Sequence, residues 1–309
     1  MIKKSVAIFI FVIIVIVAAG FLWSSWTKKP ETTTAALQPQ PAAQEQTVDQ
    51  EQEINEVQDG QAALIAQESA ELQQIVDDFS ASYPSTVRVS VVDLSNGASA
   101  SYNPDKRTVS ASLYKMFVAY GIYQMIDNGS LSASQNISSL GLSVNQCLNL
   151  MITISDNPCG KALGGIAGWS ELDKELAQQG YSNTTLDNYD GAGNIIDDKY
   201  TTTSDATLLL KRLYEGNLLG QDSSDNFVSL LKQQTYNDWL PAGLPGSATI
   251  AHKTGALYGY VHDAGIVYGS GHDYVIVVMS GEWNSPEATA PPVFAEISGN
   301  IWQYFSENF

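Results

Sequence analysis

The sequence predicts a mixed α/β domain: an antiparallel sheet covered by helices and interrupted by an all-helical lobe. Three observations carry this prediction. A helical period gives way to a hairpin signal by residue 102, a helical middle follows from about 113 to 214, and the period changes to two after Thr249.

The N-terminal segment stands apart from that domain. Met1-Ile2-Lys3-Lys4 precede an uncharged, mostly apolar run from Ser5 to Trp26 that is long enough to span a bilayer. Ala18-Ala19-Gly20 offers small residues to a signal peptidase, and a cleaved signal is the alternative reading. Phe21, Leu22, Trp23 and Trp26 carry the run beyond an ordinary signal core, so residues 1–28 are read as a retained membrane anchor. Residues 29–60 are Thr, Ala, Gln, Pro and Glu with almost no large apolar side chains, and are expected to be a disordered tether. Residues 61–309 then form one domain held outside the cell membrane by a single pass. Roughly 250 residues suffice for a sizeable core.

Within the domain, Ala, Leu, Ile and Val recur at helical spacing from Gln61 to Phe79. Val87-Arg88-Val89-Ser90-Val91 alternates, Asn96-Gly97 is a strong hairpin signal, and Ala98 to Tyr102 returns as the partner strand. Leu113 to Ile126 is apolar and free of proline, which predicts a buried helix. Further helices are expected around Cys147 to Ile154, after Pro158, and from Ser170 to Gln179, the last ended by Gly180. Thr201-Thr202-Thr203-Ser204-Asp205 caps another that runs to about Tyr214, with Gly216 behind it. Thr249–Ala256, Tyr260–Tyr268 and Tyr274–Ser280 read as three strands, and Val293, Ile297 and Ile301 mark a closing helix.

A net charge of −18 with only 15 basic residues excludes nucleic acids and acidic polymers as partners, because phosphate binding needs clustered Lys and Arg. His252, His262 and His272 have neither HExxH spacing nor a cysteine partner, so no metal and no cofactor is expected. His262-Asp263 is read as structural or as a substrate-edge contact. Cys147 and Cys159 flank one loop; they are either a disulfide or two separate buried thiols.

Chemistry concentrates in three short motifs: Ser112-Leu113-Tyr114-Lys115, Ser155-Asp156-Asn157 and Lys253-Thr254-Gly255. Each is weak alone, and their fixed order is the signal. A serine hydroxyl needs a base within reach and a site for the developing oxyanion. Lys115 lies one helical turn from Ser112, and burial beside a second cation such as Lys253 would lower its pKa toward neutrality.

In these motifs the chain resembles the penicillin-recognising serine enzymes, most closely the class A β-lactamase family, over about Gln61 to the C-terminus. The resemblance implies a β-lactamase/transpeptidase-like fold with a five-stranded antiparallel sheet. It implies Ser112 as nucleophile, Lys115 as its activator, and Ser155 as proton relay to the leaving nitrogen. Asn157, Lys253 and Thr254 would hold the substrate, and the backbone N–H groups of Ser112 and Ala256 would bind the oxyanion. Hydrolytic members carry a Glu-x-x-Leu-Asn loop whose glutamate activates water. The corresponding run here places Asp190 in the Glu position and Asn194 in the Asn position, one methylene short; the alternative is that the run is simply an Asn/Asp/Gly-rich surface loop. The expected activity is acylation by a β-lactam, followed by hydrolysis, in a monomer. The alternatives are a D-Ala-D-Ala peptidase of the cell wall and a non-catalytic β-lactam trap.

Overall fold

The computed structural model describes residues 42–309 except 85, 191, 193, 270, 282 and 284. The anchor expected over residues 1–28 lies outside the described residues, as does the tether before residue 42. No helix among the described residues is long and apolar enough to cross a membrane. The chain divides into two units, residues 1–56 and 57–309.

Helix α1 (Ala42–Ala81) starts well before Gln61, so the expectation of a disordered segment up to residue 60 is corrected over residues 42–60. The reason is that lack of a core does not forbid a helix. The run is dominated by Gln and Glu with two alanines, all strong helix formers, and has no proline after Pro41. Further along, Gln67–Glu71, Gln73–Asp77 and Gln74–Asp78 form side-chain hydrogen bonds one turn apart. Leu72, Val76 and Phe79 bury the face that joins the sheet.

The sheet holds β1 (Val87–Asp93), β2 (Ser99–Tyr102), β3 (Thr249–Leu257), β4 (Tyr260–Tyr268) and β5 (Tyr274–Ser280) in the order β2-β1-β5-β4-β3. Every pairing is antiparallel, with Val89 opposite Tyr102, Val87 opposite Ser280 and Lys253 opposite Ala264. All of β5 is buried, because Ile276 and Val278 face one hydrophobic core and Val275, Val277 and Met279 face another. The first core is closed by α1 and by α8 (Pro286–Asn308) through Phe294, Ile297, Ile301 and Phe305.

The second core belongs to the helical lobe inserted between β2 and β3. It comprises α2 (Tyr114–Asp127), α3 (Val144–Thr153), α4 (Asn157–Ala167), α5 (Trp169–Gln178), α6 (Thr203–Glu215) and α7 (Gln221–Lys232). Caps set several of the boundaries. Ser143 and Gln146 form a reciprocal capping box on α3, Asp156 caps α4 through the Cys159 N–H at 2.7 Å, and Thr202 caps α6. Gly216 ends α6 in the left-handed conformation, φ 71°. Helix α7 is the element that sequence reading did not anticipate: its first turns are polar, and Phe227 and Leu231 anchor it only once packed. Cys147 on α3 and Cys159 on α4 form a disulfide that closes the loop carrying Ser155.

Candidate active site

Ser112 lies in a single 3₁₀ turn, Ala111–Leu113, that leads into α2, rather than in the α-helix itself. Ala111 is held at φ 43°, a left-handed conformation costing about 1–3 kcal/mol for a residue with a side chain. Such strain persists only where surrounding contacts fix it, and here the edge strand β3 supplies them. A Cβ on Gly255 would stand 3.0 Å from the Ser112 nitrogen and 3.2 Å from Ala111 Cβ. Glycine therefore lets strand and turn meet backbone to backbone.

Lys115 is fully buried in the first turn of α2, and its ammonium is the hub of the site. It donates to Ser112 Oγ at 3.1 Å, to Ser155 Oγ at 3.1 Å, to Asn157 Oδ1 at 2.7 Å and to the Ser155 carbonyl. Ser155 sits between α3 and α4 with φ 60°, a second strained position that turns its carbonyl and hydroxyl toward Lys115. Lys253, also fully buried, reaches the same hydroxyl from β3, donating to Ser155 Oγ at 3.0 Å and to the Thr254 carbonyl at 2.9 Å. Three motifs far apart in sequence thus converge on one hydroxyl.

Burial disfavours both ammonium groups. The Lys115 pKa falls to about 8 through desolvation, partly opposed by the Asp156 carboxylate. The Lys253 pKa falls to about 7, first through desolvation and then through the charge of Lys115, with Asp263 opposing. A neutral amine beside Ser112 is therefore accessible near neutral pH. Thr254 is buried next to Lys253, while Asn157 and Ala256 are exposed at the opening.

The histidines are placed by hydrogen bonds. His252 is buried between Asp263 Oδ1 at 2.8 Å and Asn237 Oδ1 at 3.2 Å, directly behind Lys253. His262 Nε2 donates to the Val109 carbonyl at 2.7 Å, and its Nδ1 accepts from the Ser280 N–H. Burial pushes its pKa down to about 4, so it is a neutral structural group and not a substrate contact.

The loop brings Asp190 and Asn194 to each other. Asp190 Oδ1 accepts from the N–H groups of Ala192 and Asn194, and its Oδ2 accepts from Asn194 Nδ2 at 2.9 Å. The carboxylate closes its own loop, the ordinary behaviour of Asp in an Asn/Gly-rich turn. A lysine that sequence reading missed is the loop's other anchor. Lys199 Nζ donates to the Leu186 carbonyl and to Asn188 Oδ1 and lies 3.7 Å from the Trp169 ring centroid. Its own carbonyl accepts from Ser110 N–H at 2.7 Å, which ties the loop to the nucleophile turn. Burial lowers its pKa to about 8 against the pull of Asp173 and Asp187.

A serine within reach of one buried lysine, a second serine shared by two, and a strained turn on a sheet edge have the make-up of a lysine-assisted serine hydrolase. The chain belongs to the β-lactamase enzyme family, whose family model matches residues 69–305. Comparison with curated proteins finds no match. Among solved structures the chain is similar to PBP-A, at 25% identity and a TM-score of 0.67, covering 78% of this chain and 96% of that one. It is similar in fold to a β-lactamase from Chitinophaga pinensis, at 22% identity and a TM-score of 0.68, covering 76% and 99%. A third likeness, again of fold, is to the extended-spectrum β-lactamase TLA-3, at 19% identity and a TM-score of 0.70, covering 77% and 99%.

Proposed function

We propose that the protein is a serine hydrolase acylated at Ser112 by β-lactams, with cleavage of the β-lactam amide bond. The observation that carries the reading is Lys115, fully buried and bonded at once to Ser112 Oγ and Ser155 Oγ. In its neutral form Lys115 takes the Ser112 proton as Oγ attacks the carbonyl carbon. The Ser112 N–H and, on the edge strand, the Ala256 N–H stabilise the oxyanion. Ser155 then passes a proton to the departing nitrogen as the amide bond breaks, while Lys253 and Thr254 hold the substrate carboxylate and Asn157 its amide. Water releases the acyl group.

A second reading rests on the Asp190 loop. Because that carboxylate is engaged with Ala192 and Asn194, activation of the hydrolytic water is weak. This favours a long-lived acyl-enzyme, the behaviour of a D-Ala-D-Ala peptidase or a β-lactam trap. We place the domain on the outer side of a membrane, supported by the apolar run from Ser5 to Trp26.

Intact-mass spectrometry during and after exposure to a penicillin tests both halves. The wild type should gain one penicilloyl group and Ser112→Ala none; labelling that survives in the folded variant refutes the assignment. The decay of the adduct separates fast hydrolysis from the second reading.

A further inference from the structure

Where β1 ends and β5 begins, three segments distant in sequence bring together Glu68 of α1, Asp93 at the end of β1 and His272 in the turn before β5. One ligand atom of each lies within 4.8 Å of the others. Both acids are buried, Glu68 6% and Asp93 0% exposed. Two buried carboxylates side by side repel each other and lack hydration, an arrangement that requires a compensating positive charge.

The surroundings engage both oxygens of Asp93 but only one of Glu68. Asn96 Nδ2 donates to Glu68 Oε2 at 2.6 Å, and the Ser95 N–H donates to Asp93 Oδ1 at 2.7 Å. Asp93 Oδ2 lies 2.5 Å from His272 Nδ1. The remaining oxygen, Glu68 Oε1, is buried without a hydrogen-bond partner. An orphaned carboxylate oxygen beside a second carboxylate and an imidazole nitrogen is a ligand set waiting for a cation, with Asn96 and Ser95 in the orienting role that outer partners play at metal sites. A surface hollow of about 400 Å³, lined by Glu68, Glu71, Asn96, Tyr304 and Phe309, gives an ion access.

We propose that Glu68, Asp93 and His272 form a divalent-cation site that pins α1 to the end of β1 and to the β4–β5 turn. One imidazole and two carboxylates suit Zn²⁺, with water completing the shell. Mg²⁺ and Ca²⁺ prefer an all-oxygen set and bind less well. Ligand distances of about 2.0–2.2 Å place the ligand atoms roughly 3.4 Å apart, which small side-chain rotations reach from the present spacing. The site is distinct from the Ser112 cleft. Local spacing, on which the expectation of no metal rests, does not reveal it, because these ligands meet only in the folded sheet.

The test uses the folded, metal-stripped wild type with Glu68→Gln and His272→Gln. Each is measured by equilibrium dialysis against ZnCl₂ and by thermal unfolding with ZnCl₂, with MgCl₂ and with a chelator. The wild type should bind one Zn²⁺ and unfold at a higher temperature with it, and Mg²⁺ should reproduce neither effect. Both variants should lose at least about tenfold in affinity and lose the Zn²⁺-dependent shift. Glu68→Gln should be no less stable than the wild type without metal, because a repelling charge is gone. Zn²⁺ that stabilises both variants as much as the wild type, or has no effect on any, overturns the site. In the latter case a proton shared by Glu68 and Asp93 supplies the missing charge.

Discussion

Gly255→Ala probes how closely the nucleophile depends on the sheet edge. The added Cβ would stand 3.0 Å from Ser112 N and 3.2 Å from both Ala111 Cβ and Leu113 N, whereas ordinary contact begins near 3.4 Å. The neighbours are backbone atoms and a Cβ, so no rotamer change relieves them, and turn and strand must part by about 0.4 Å. A 1 Å misplacement of reacting groups costs about a hundredfold, and loss of one oxyanion donor costs about 10²–10³. A shift of somewhat under half an ångström therefore predicts an acylation rate lower by roughly tenfold, about 1.4 kcal/mol in the barrier. Single-turnover stopped-flow with a chromogenic cephalosporin measures it, with circular dichroism to establish that the fold survives. An acylation rate within about twofold of wild type would refute the coupling of Ser112 to the β3 edge.

Lys115→Ala should slow acylation by roughly 10²–10⁴ while leaving non-covalent binding of a slow substrate nearly unchanged; equal acylation rates would remove Lys115 as base. In the wild type a neutral amine is required, so acylation should fall as the pH drops through the region of about 8 to about 7 and level off above it; a rate flat with pH across this range contradicts that requirement. Asp190→Asn should change the acyl-enzyme lifetime by no more than about twofold while making the loop more sensitive to protease. A lifetime lengthened tenfold or more would restore Asp190 as the water-activating base. Removing the disulfide with Cys147→Ser should cost about 2–4 kcal/mol, read as a lower unfolding midpoint under non-reducing conditions; an unchanged midpoint would deny it a stabilising role.

Much of this architecture was legible because periodicity and punctuation act locally. The strands Tyr260–Tyr268 and Tyr274–Ser280 match the expected bounds, and Gly180 and Gly216 stand at helix ends with positive φ. The convergence of Lys115 and Lys253 on Ser155 was foreshadowed by motif order alone, since only a fold bringing all three together makes chemical use of them. What escaped was decided by packing. Lys199 is an ordinary lysine in the sequence and becomes an anchor only over the Trp169 ring. Asp190 keeps family spacing, but spacing does not show that N–H groups of its own loop bind the carboxylate. The early start of α1 was missed because a composition unsuited to a core was read as unsuited to a helix.

The order of strands in the sheet has a consequence for when reactivity appears. β1 pairs with β5, so the hairpin laid down first waits for one of the last elements made, and the Lys253 strand joins through β4 on the far side. Until those strands emerge, Ser112 has no edge to press against and Ser155 Oγ has no second lysine beside it. At about 5–20 residues per second, the interval between synthesis of Ser112 and of Ser280 is on the order of ten seconds or more. Throughout it a growing chain carries an inert hydroxyl. Covalent labelling by a penicillin thus reports completion of the whole domain, and a chain truncated before β5 should remain unlabelled however well its helices form.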